Sequence, residues 1–326
     1  MKKFFKNKKI LVTGGSGFLG KNFILNLLKF NCKIISTVHK NKSVLKNKKI
    51  KYFKCDLTSL NDCKKVVKNV DYIIMCAANS SGAEVMEKKP LVHLTPNVVM
   101  NVNMLEAAYE ANIKKFLFIS SNAVYPNTAK RVSEEDVNNT FFEKYYVGGW
   151  MKRFSEIVSN IYAEKIKKIM PVVIIRPGNI YGPYDKFDPQ KSKVIASLIR
   201  KVALKQNPLK VWGDGKDVKD FIYVEDFVEG SLKALMKPKN YSIFNIASGR
   251  SVSLKKVIKI ILQFSPLKNR HLIDFQKNMP SMIPERNISI KFAKKELSWK
   301  PKTSLKKGIY KTIIWYKKNY AKLERN

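Results

Sequence analysis

The chain has 326 residues, enough to bury one large core or two modest ones, and 45% of them are hydrophobic, as in globular proteins. No run of about 18 apolar residues is free of charge, so no membrane-spanning helix is expected. A formal net charge of +38 invites a nucleic-acid or membrane reading, but only eight of the 63 basic residues are arginine and the lysines are scattered along the whole chain. A lysine-rich surface is the simpler account, with no specific nucleic acid and no membrane as partner. The start, MKKFFKNKKILVTGGSGFLG, imitates a signal peptide, yet its glycines fit a structural turn better, and a cytoplasmic location is expected. Cys32, Cys55, Cys63 and Cys76 form no CxxC pair and read as buried free thiols rather than a metal or disulfide site.

The first element is the β-branched run KKILVTGG (8–15), a strand closed by glycines, followed by a helical pattern through Phe23, Leu27 and Leu28. Further strands are predicted at 33–38, 50–54, 70–76, 115–120 and 171–176. Amphipathic segments lie between them near 61–69, 97–111 and 149–168. Short apolar strands alternating with helices imply a parallel sheet covered on both faces, an α/β doubly wound Rossmann-type fold. After Pro177 the rhythm loosens into turns at YGPYD and WGDGKD and a helix at 191–205. The expected division is a dinucleotide-binding domain over 1–176, to which 220–247 returns, and a smaller mixed C-terminal domain over 177–326, mainly for substrate.

GGSGFLG sets Gly14, Gly17 and Gly20 between the first strand and its helix, with Phe18 and Leu19 in the same turn. Glycine lets the backbone N–H groups approach a pyrophosphate with no Cβ in the way, and the helix N-terminus adds positive potential. In this context the pattern reads as dinucleotide binding. The second strand ends in Val38, His39 and Lys40, not in the acid that would bind a free ribose 2′-hydroxyl. Neutral or cationic groups there tolerate a 2′-phosphate, which favours NADP over NAD.

GGSGFLG together with CDLTS (55–59), CAA (76–78), FISSNAVYP (118–126), RPGNIYGPYDKF (176–187), WGDGKDVKDFIYVED (212–226) and ELSWKP (296–301) resembles the extended short-chain dehydrogenases/reductases of the NAD-dependent epimerase/dehydratase family. The match runs along nearly the whole chain and is most similar to GDP-fucose synthases. The resemblance implies hydride transfer at a sugar carbon, usually C4, of a nucleotide-diphosphate sugar, with a GDP-sugar favoured. It further implies that Asp56 and Leu57 border the adenine, that Ala77 and Ala78 line the cofactor, and that Asn97 lies in the active site. The segments 97–111 and 149–168 resemble the family's dimer helices, so a homodimer is expected.

A hydride moves only as the sugar oxygen loses or gains a proton, and in this family a tyrosine handles it, its pKa lowered by a lysine four residues on. In KYYVGGWMKRFSE (144–156) Lys152 matches that lysine and is expected to contact both substrate and cofactor. Ser121 matches the serine that binds the reacting oxygen. The tyrosine position holds Gly148. At about 100° per residue, 145 lies roughly 60° from 148 and 146 roughly 160°, so on a helix Tyr145 leans toward the sugar and Tyr146 faces elsewhere. Paired glycines each cost about 1 kcal/mol in a helix, so the helix has an alternative start near 148, with both tyrosines on a loop. Three alternatives follow: a relocated tyrosine, another carrier such as Ser121, Lys152 or water, and a slow or non-catalytic protein.

For the substrate diphosphate, Arg286 matches a late family arginine, and Lys219 stands where an arginine is frequent. Asn122, Asn179 and Lys193 are further substrate residues by resemblance, Lys193 replacing a histidine of the fucose synthase pattern. Trp212 is placed to pack against the base.

Overall fold

The computed structural model describes residues 1–40, 44–80, 89–267, 270, 272–279 and 283–320. Strands β1 (Lys9–Val12), β2 (Lys33–Val38), β3 (Ile50–Lys54), β4 (Tyr72–Met75), β5 (Lys115–Ile119), β6 (Arg131–Val132), β7 (Val172–Pro177), β8 (Asn179–Tyr181), β9 (Leu209–Trp212), β10 (Val218–Tyr223), β11 (Tyr241–Ile246), β12 (Ser251–Ser253), β13 (Ile273–Gln276) and β14 (Asn287–Ile288) form four sheets. The main sheet has seven strands, all parallel, in the order β11-β7-β5-β4-β1-β2-β3. Every residue of β4, β5 and β7 is buried, whereas the edge strand β3 has no buried residue, because helices cover both faces of the sheet centre.

Helices Phe18–Leu27 and Val224–Leu235 pack on one face through residues such as Phe23 and Phe227, whose rings meet edge-on at 6.1 Å. Leu60–Val66 and Leu91–Glu110 cover the other. A separate core joins helices Val194–Ala203, Leu254–Leu262 and Leu305–Asn319 around β9 and β10. The strand order reverses between β1 and β4, which opens a crevice above their carboxyl ends. Among the described residues no helix is long and apolar enough to cross a membrane.

The helix predicted from 97 starts six residues earlier, at Leu91, with Pro96 inside it. Proline cannot donate to the carbonyl of Val92, and the side chain of Asn79 takes that acceptor at 2.9 Å. A loop residue thus repairs the helix and is itself fixed beside it. The helix carrying Lys152 runs Tyr146–Asn160 after a 3₁₀ turn at Glu143–Tyr145, so Gly148 and Gly149 lie in its first turn rather than before it. A Cβ at Gly149 would stand 2.8 Å from both the Ala123 carbonyl oxygen and the Phe141 ring, and glycine lets the helix press against the loop after β5.

The far end of that loop and helix is pinned by a buried ionic network. Arg176 of β7 donates to Glu156 through Nε (2.9 Å) and Nη2 (2.7 Å), and Ser120 Oγ donates to the same carboxylate at 2.6 Å. Arg176 Nη1 also donates to Tyr125 Oη (3.2 Å), which donates to Asn245 Oδ1 of β11 (2.6 Å). Both charged side chains are inaccessible to solvent. Removing the Glu156 carboxylate alone leaves a buried, uncompensated guanidinium, so Glu156→Ala is expected to lose about 3–5 kcal/mol of stability in thermal or urea unfolding. Glu156→Met with Arg176→Met should recover much of that loss, since the pair's desolvation cost goes with it; a double variant no more stable than the single one would refute this account.

Candidate active site

The crevice begins at the glycine turn. Gly14 adopts φ +67°, its N–H donates to Thr37 Oγ1 at 3.0 Å, and Gly17 caps the Phe18–Leu27 helix. A Cβ on Gly20 would fall 2.2 Å from the Gly14 carbonyl oxygen, and one on Gly14 would fall 3.0 Å from Ala77 Cα. Backbone and helix N-terminus are therefore bare at the place a pyrophosphate requires, and the residues fit a dinucleotide. Phe18 and Leu19 turn into the core, Ala77 is partly buried beside the turn, and Ala78 is exposed. Thr13, which precedes the glycines, ties the two central strand ends together: its Oγ1 accepts from the N–H groups of Cys76 (3.0 Å) and Ala77 (2.9 Å).

At the adenosine end, His39 and Lys40 follow β2 and are exposed. His39 Nε2 stands 3.7 Å from Asp56 Oδ2, which follows β3. Asp56 is held ionised below its ordinary range by hydrogen bonds from Thr58 Oγ1 (2.7 Å) and Thr58 N (3.0 Å). Leu57 next to it is buried.

Ser121 follows β5 and caps the 3₁₀ turn Asn122–Val124, its Oγ accepting from Ala123 N at 3.1 Å. That bond uses an acceptor lone pair and leaves the hydroxyl proton free to donate elsewhere. Asn122 is spent on the Pro177 carbonyl at 2.9 Å. Lys152 Nζ donates to the Ile119 carbonyl at 2.8 Å, two residues from Ser121, and lies 4.8 Å from the centre of the Phe118 ring. Burial pulls its pKa down to about 8, with the Lys193 charge reinforcing the shift and Glu156 opposing it. Lys193, exposed at the N-terminus of the Val194–Ala203 helix, is thereby brought to the same cleft.

The two tyrosines separate clearly. Tyr145 is partly buried and burial raises its pKa, whereas Tyr146 is 49% exposed and packs edge-on against Phe141 at 6.0 Å. Asn97 is buried and holds the loop after β4, its Oδ1 accepting from Asn79 N (2.8 Å) and its Nδ2 donating to Asn79 O (2.9 Å).

Arg286 has 1% exposure and bonds only backbone: Nη1 to Pro126 O at 2.9 Å and Nη2 to Tyr125 O at 3.4 Å. Its Nε has no hydrogen-bond partner among the described residues, and its guanidinium lies 6.0 Å from the centre of the Tyr125 ring. A cavity of about 500 Å³ lies along the neighbouring segments, between Asn127–Ala129, Asp214, Lys216–Val218 and Pro284–Glu285; its lining carries the acids Asp214, Asp217 and Glu285 and does not include Arg286. Lys219, by contrast, is neutralised by Asp217 at 2.7 Å and donates to Ile283 O at 3.0 Å. Asn179 Nδ2 donates to Asp220 O at 3.1 Å, and Trp212 is 37% exposed at the end of β9. Lys152 is thus tied to the end of β5 that leads into Ser121, with the Lys193 charge near enough to act on it, and Arg286 bonds the Tyr125–Pro126 segment. Thr13, Thr37 and Asn79 were not among the residues singled out from sequence; the only available signal was their position next to a glycine turn or strand end.

A glycine cradle at the switch point of a parallel sheet defines an α/β protein of the dinucleotide-binding class. The model of the NAD dependent epimerase/dehydratase family matches residues 10–247, and the chain belongs to that family, whose members are nucleotide-sugar epimerases, dehydratases and reductases. It is 27% identical over 319 residues to GDP-mannose 3,5-epimerase 1 of Oryza sativa subsp. indica, covering 96% of this chain and 83% of that one. It is 26% identical over 328 residues to GDP-L-fucose synthase of Sinorhizobium fredii, covering 96% and 97%. Among solved structures, the UDP-glucuronic acid 4-epimerase of Bacillus cereus, in complex with UDP-glucuronic acid and NAD, superposes with a TM-score of 0.84 at 26% identity, covering 96% of this chain and all of that one.

The depression of Lys152 is directly measurable. After reductive ¹³C-methylation, the signal absent from a Lys152→Arg variant should titrate with a midpoint near 8, against about 10.4 for free lysines. A midpoint above 10 would show that burial does not destabilise this ammonium.

Proposed function

We propose that the chain is a nucleotide-sugar oxidoreductase, epimerase or dehydratase in which Lys152 itself carries the proton that a tyrosine would otherwise handle. The observation that carries this reading is Lys152, buried against Phe118 and drawn down to about 8, its ammonium on the carbonyl of Ile119, two residues before Ser121 in the chain. A proton carrier works best when its pKa lies near the working pH. Tyr145 is pushed the other way by burial, and Tyr146 points toward solvent. The reacting carbon is taken to be C4 of the sugar.

When bound, the nicotinamide supplies the acceptor and donor of hydride. Ser121 donates to the sugar oxygen, fixing it between strand β5 and the Lys152 helix. The neutral Lys152 amine takes the hydroxyl proton as the sugar is oxidised and returns it in the reverse step. Arg286 meets the substrate diphosphate: a buried guanidinium without a carboxylate is stabilised by an anion with two or more oxygens. His39 and Lys40 favour NADP, with NAD the alternative, and the resemblance to GDP-sugar enzymes favours a GDP-sugar. Residues 1–176 with 220–247 would hold the cofactor and 177–326 mainly the sugar nucleotide, in the cytoplasm. A second reading, a slow or non-catalytic binder of the same ligands, rests on Gly148 alone.

The decisive assay incubates the protein with GDP-, UDP-, dTDP- and CDP-sugars and NADP or NAD, following product mass and nicotinamide absorbance; no product from any pair would leave only the binding reading. Lys152→Met should lower kcat about 10²- to 10⁴-fold, and Tyr145→Phe less than about threefold. Because the base must be unprotonated, kcat/KM for sugar oxidation should rise through pH 8 and level off above it. A large loss in Tyr145→Phe would instead place the proton on that tyrosine.

Tyr146, Trp150, Ile157 and Ile161 are exposed along one side of the Lys152 helix, at helical spacing. We expect light scattering to give twice the 37.5 kDa chain mass, and Trp150→Glu to give the monomer. A monomer at micromolar concentration in the parent protein would refute the homodimer.

A further inference from the structure

Helices Leu254–Leu262 and Leu305–Asn319 share one core, to which the first gives Val257, Ile258 and Ile261 and the second Ile309, Ile313 and Tyr316. Their outer residues follow a different pattern. On the second helix Tyr310 and Ile314, four residues apart, are each 48% exposed. Lys306, Lys307, Lys317 and Lys318 are exposed too, and each lies three or four residues from one of that pair, which puts all six on one face. On the first helix and the turn after it, Lys256, Ile260 and Phe264 follow at intervals of four, with Lys259 exposed beside Ile260. The Phe264 ring meets the Tyr310 ring at 5.2 Å, so the two rows adjoin.

The charge on this surface is of one sign. The segments 254–267 and 305–320 contain no Asp, no Glu and no Arg. Glu225 of the neighbouring Val224–Leu235 helix is taken by Lys311 at 3.2 Å. Among the described residues no ion pair holds Lys256, Lys259, Lys306, Lys307, Lys317 or Lys318. Lysines that are scattered along the sequence are thus gathered here by the fold, around an exposed tyrosine and isoleucine. A second copy of the chain would bring the same unpaired ammonium groups against these, and like charges repel. A nucleic-acid site would carry arginine and aromatic stacking platforms in place of an aliphatic centre. An anionic bilayer suits both parts of the face, since its headgroups attract the lysines and its boundary layer takes up isoleucine and the amphipathic ring of tyrosine.

We propose that this face docks reversibly on the surface of an anionic lipid bilayer, with Tyr310 and Ile314 entering the headgroup layer. The contact is peripheral, and it replaces the sequence-based expectation of no membrane partner. It goes beyond the functional reading above and does not depend on it.

The test sediments the full chain with vesicles of phosphatidylcholine, alone or with about 30% phosphatidylserine, in about 0.1 M salt. Binding should be at least about tenfold tighter with phosphatidylserine. A net charge of +38 draws the whole chain toward any anion, so variants of equal charge decide the matter. Lys306→Glu with Lys307→Glu, acids that suit the first turn of a helix, should weaken binding about tenfold. Lys29→Glu with Lys33→Glu, exposed on other elements, should change it less than about threefold. Ile314→Gln, which leaves the charge alone, should weaken it about fivefold. Equal losses from the two lysine pairs, or no loss in Ile314→Gln, would mean attraction by overall charge and would overturn the proposal. Tighter binding to an oligonucleotide than to the vesicles at equal phosphate, lost in Lys306→Glu with Lys307→Glu, would overturn it in favour of nucleic acid.

Discussion

The ion pair between Glu156 and Arg176 is the constraint on which the rest of the site depends. Both side chains are wholly buried, so the pair must be satisfied within the protein, and its further partners are Ser120, Arg153, Tyr125 and the Glu134 carbonyl. Ser120 at the end of β5, the Lys152 helix, β7 and, through Tyr125 and Asn245, β11 are drawn into one hydrogen-bonded unit. Desolvating two charges yields little net stability, and the return is geometric register. Lys152 sits one helical turn before Glu156, so the carboxylate that locks the helix also sets where the ammonium meets the Ile119 carbonyl.

Much of the fold was readable in the sequence because strands covered on both faces are continuous apolar runs. The predictions at 33–38 and 50–54 coincide with β2 and β3, that at 115–120 runs one residue past β5, and that at 171–176 is displaced by one residue from β7. The start of the Leu91–Glu110 helix was not readable, because Pro96 marks a boundary in sequence terms and the Asn79 side chain that makes it tolerable is far away in the chain. Likewise Gly148 and Gly149 argue locally for a late helix start. Packing of Gly149 against Ala123 and Phe141 overrides that preference, since a Cβ there would collide with both.

The local geometry was legible where one residue type accounts for it by itself, as with the positive φ and close packing of Gly14 and the close packing of Gly20. It was not legible where the function comes from a partner distant in sequence. Thr13 holding Ala77, Asn97 holding Asn79 and Lys186 reaching Ser80 are contacts between segments, and no spacing rule signals them. Asn97 acts here on the protein's own loop, so its bearing on the cleft is through the placement of Asn79 and Ser80.

Partner accounting also separates the cations that a lysine-rich composition blurs. Lys115 is buried too, but its ammonium is bound by the carbonyls of Lys237 and Lys239, so it caps a chain turn beyond the Val224–Leu235 helix and needs nothing more. Lys219 has a carboxylate of its own at 2.7 Å. Arg286 combines near-complete burial, two carbonyl contacts and an orphaned Nε, with no carboxylate pairing it among the described residues. Burial without a carboxylate is costly to the Arg286 charge and draws its pKa down from the ordinary guanidinium range, a cost that Lys219 avoids through Asp217.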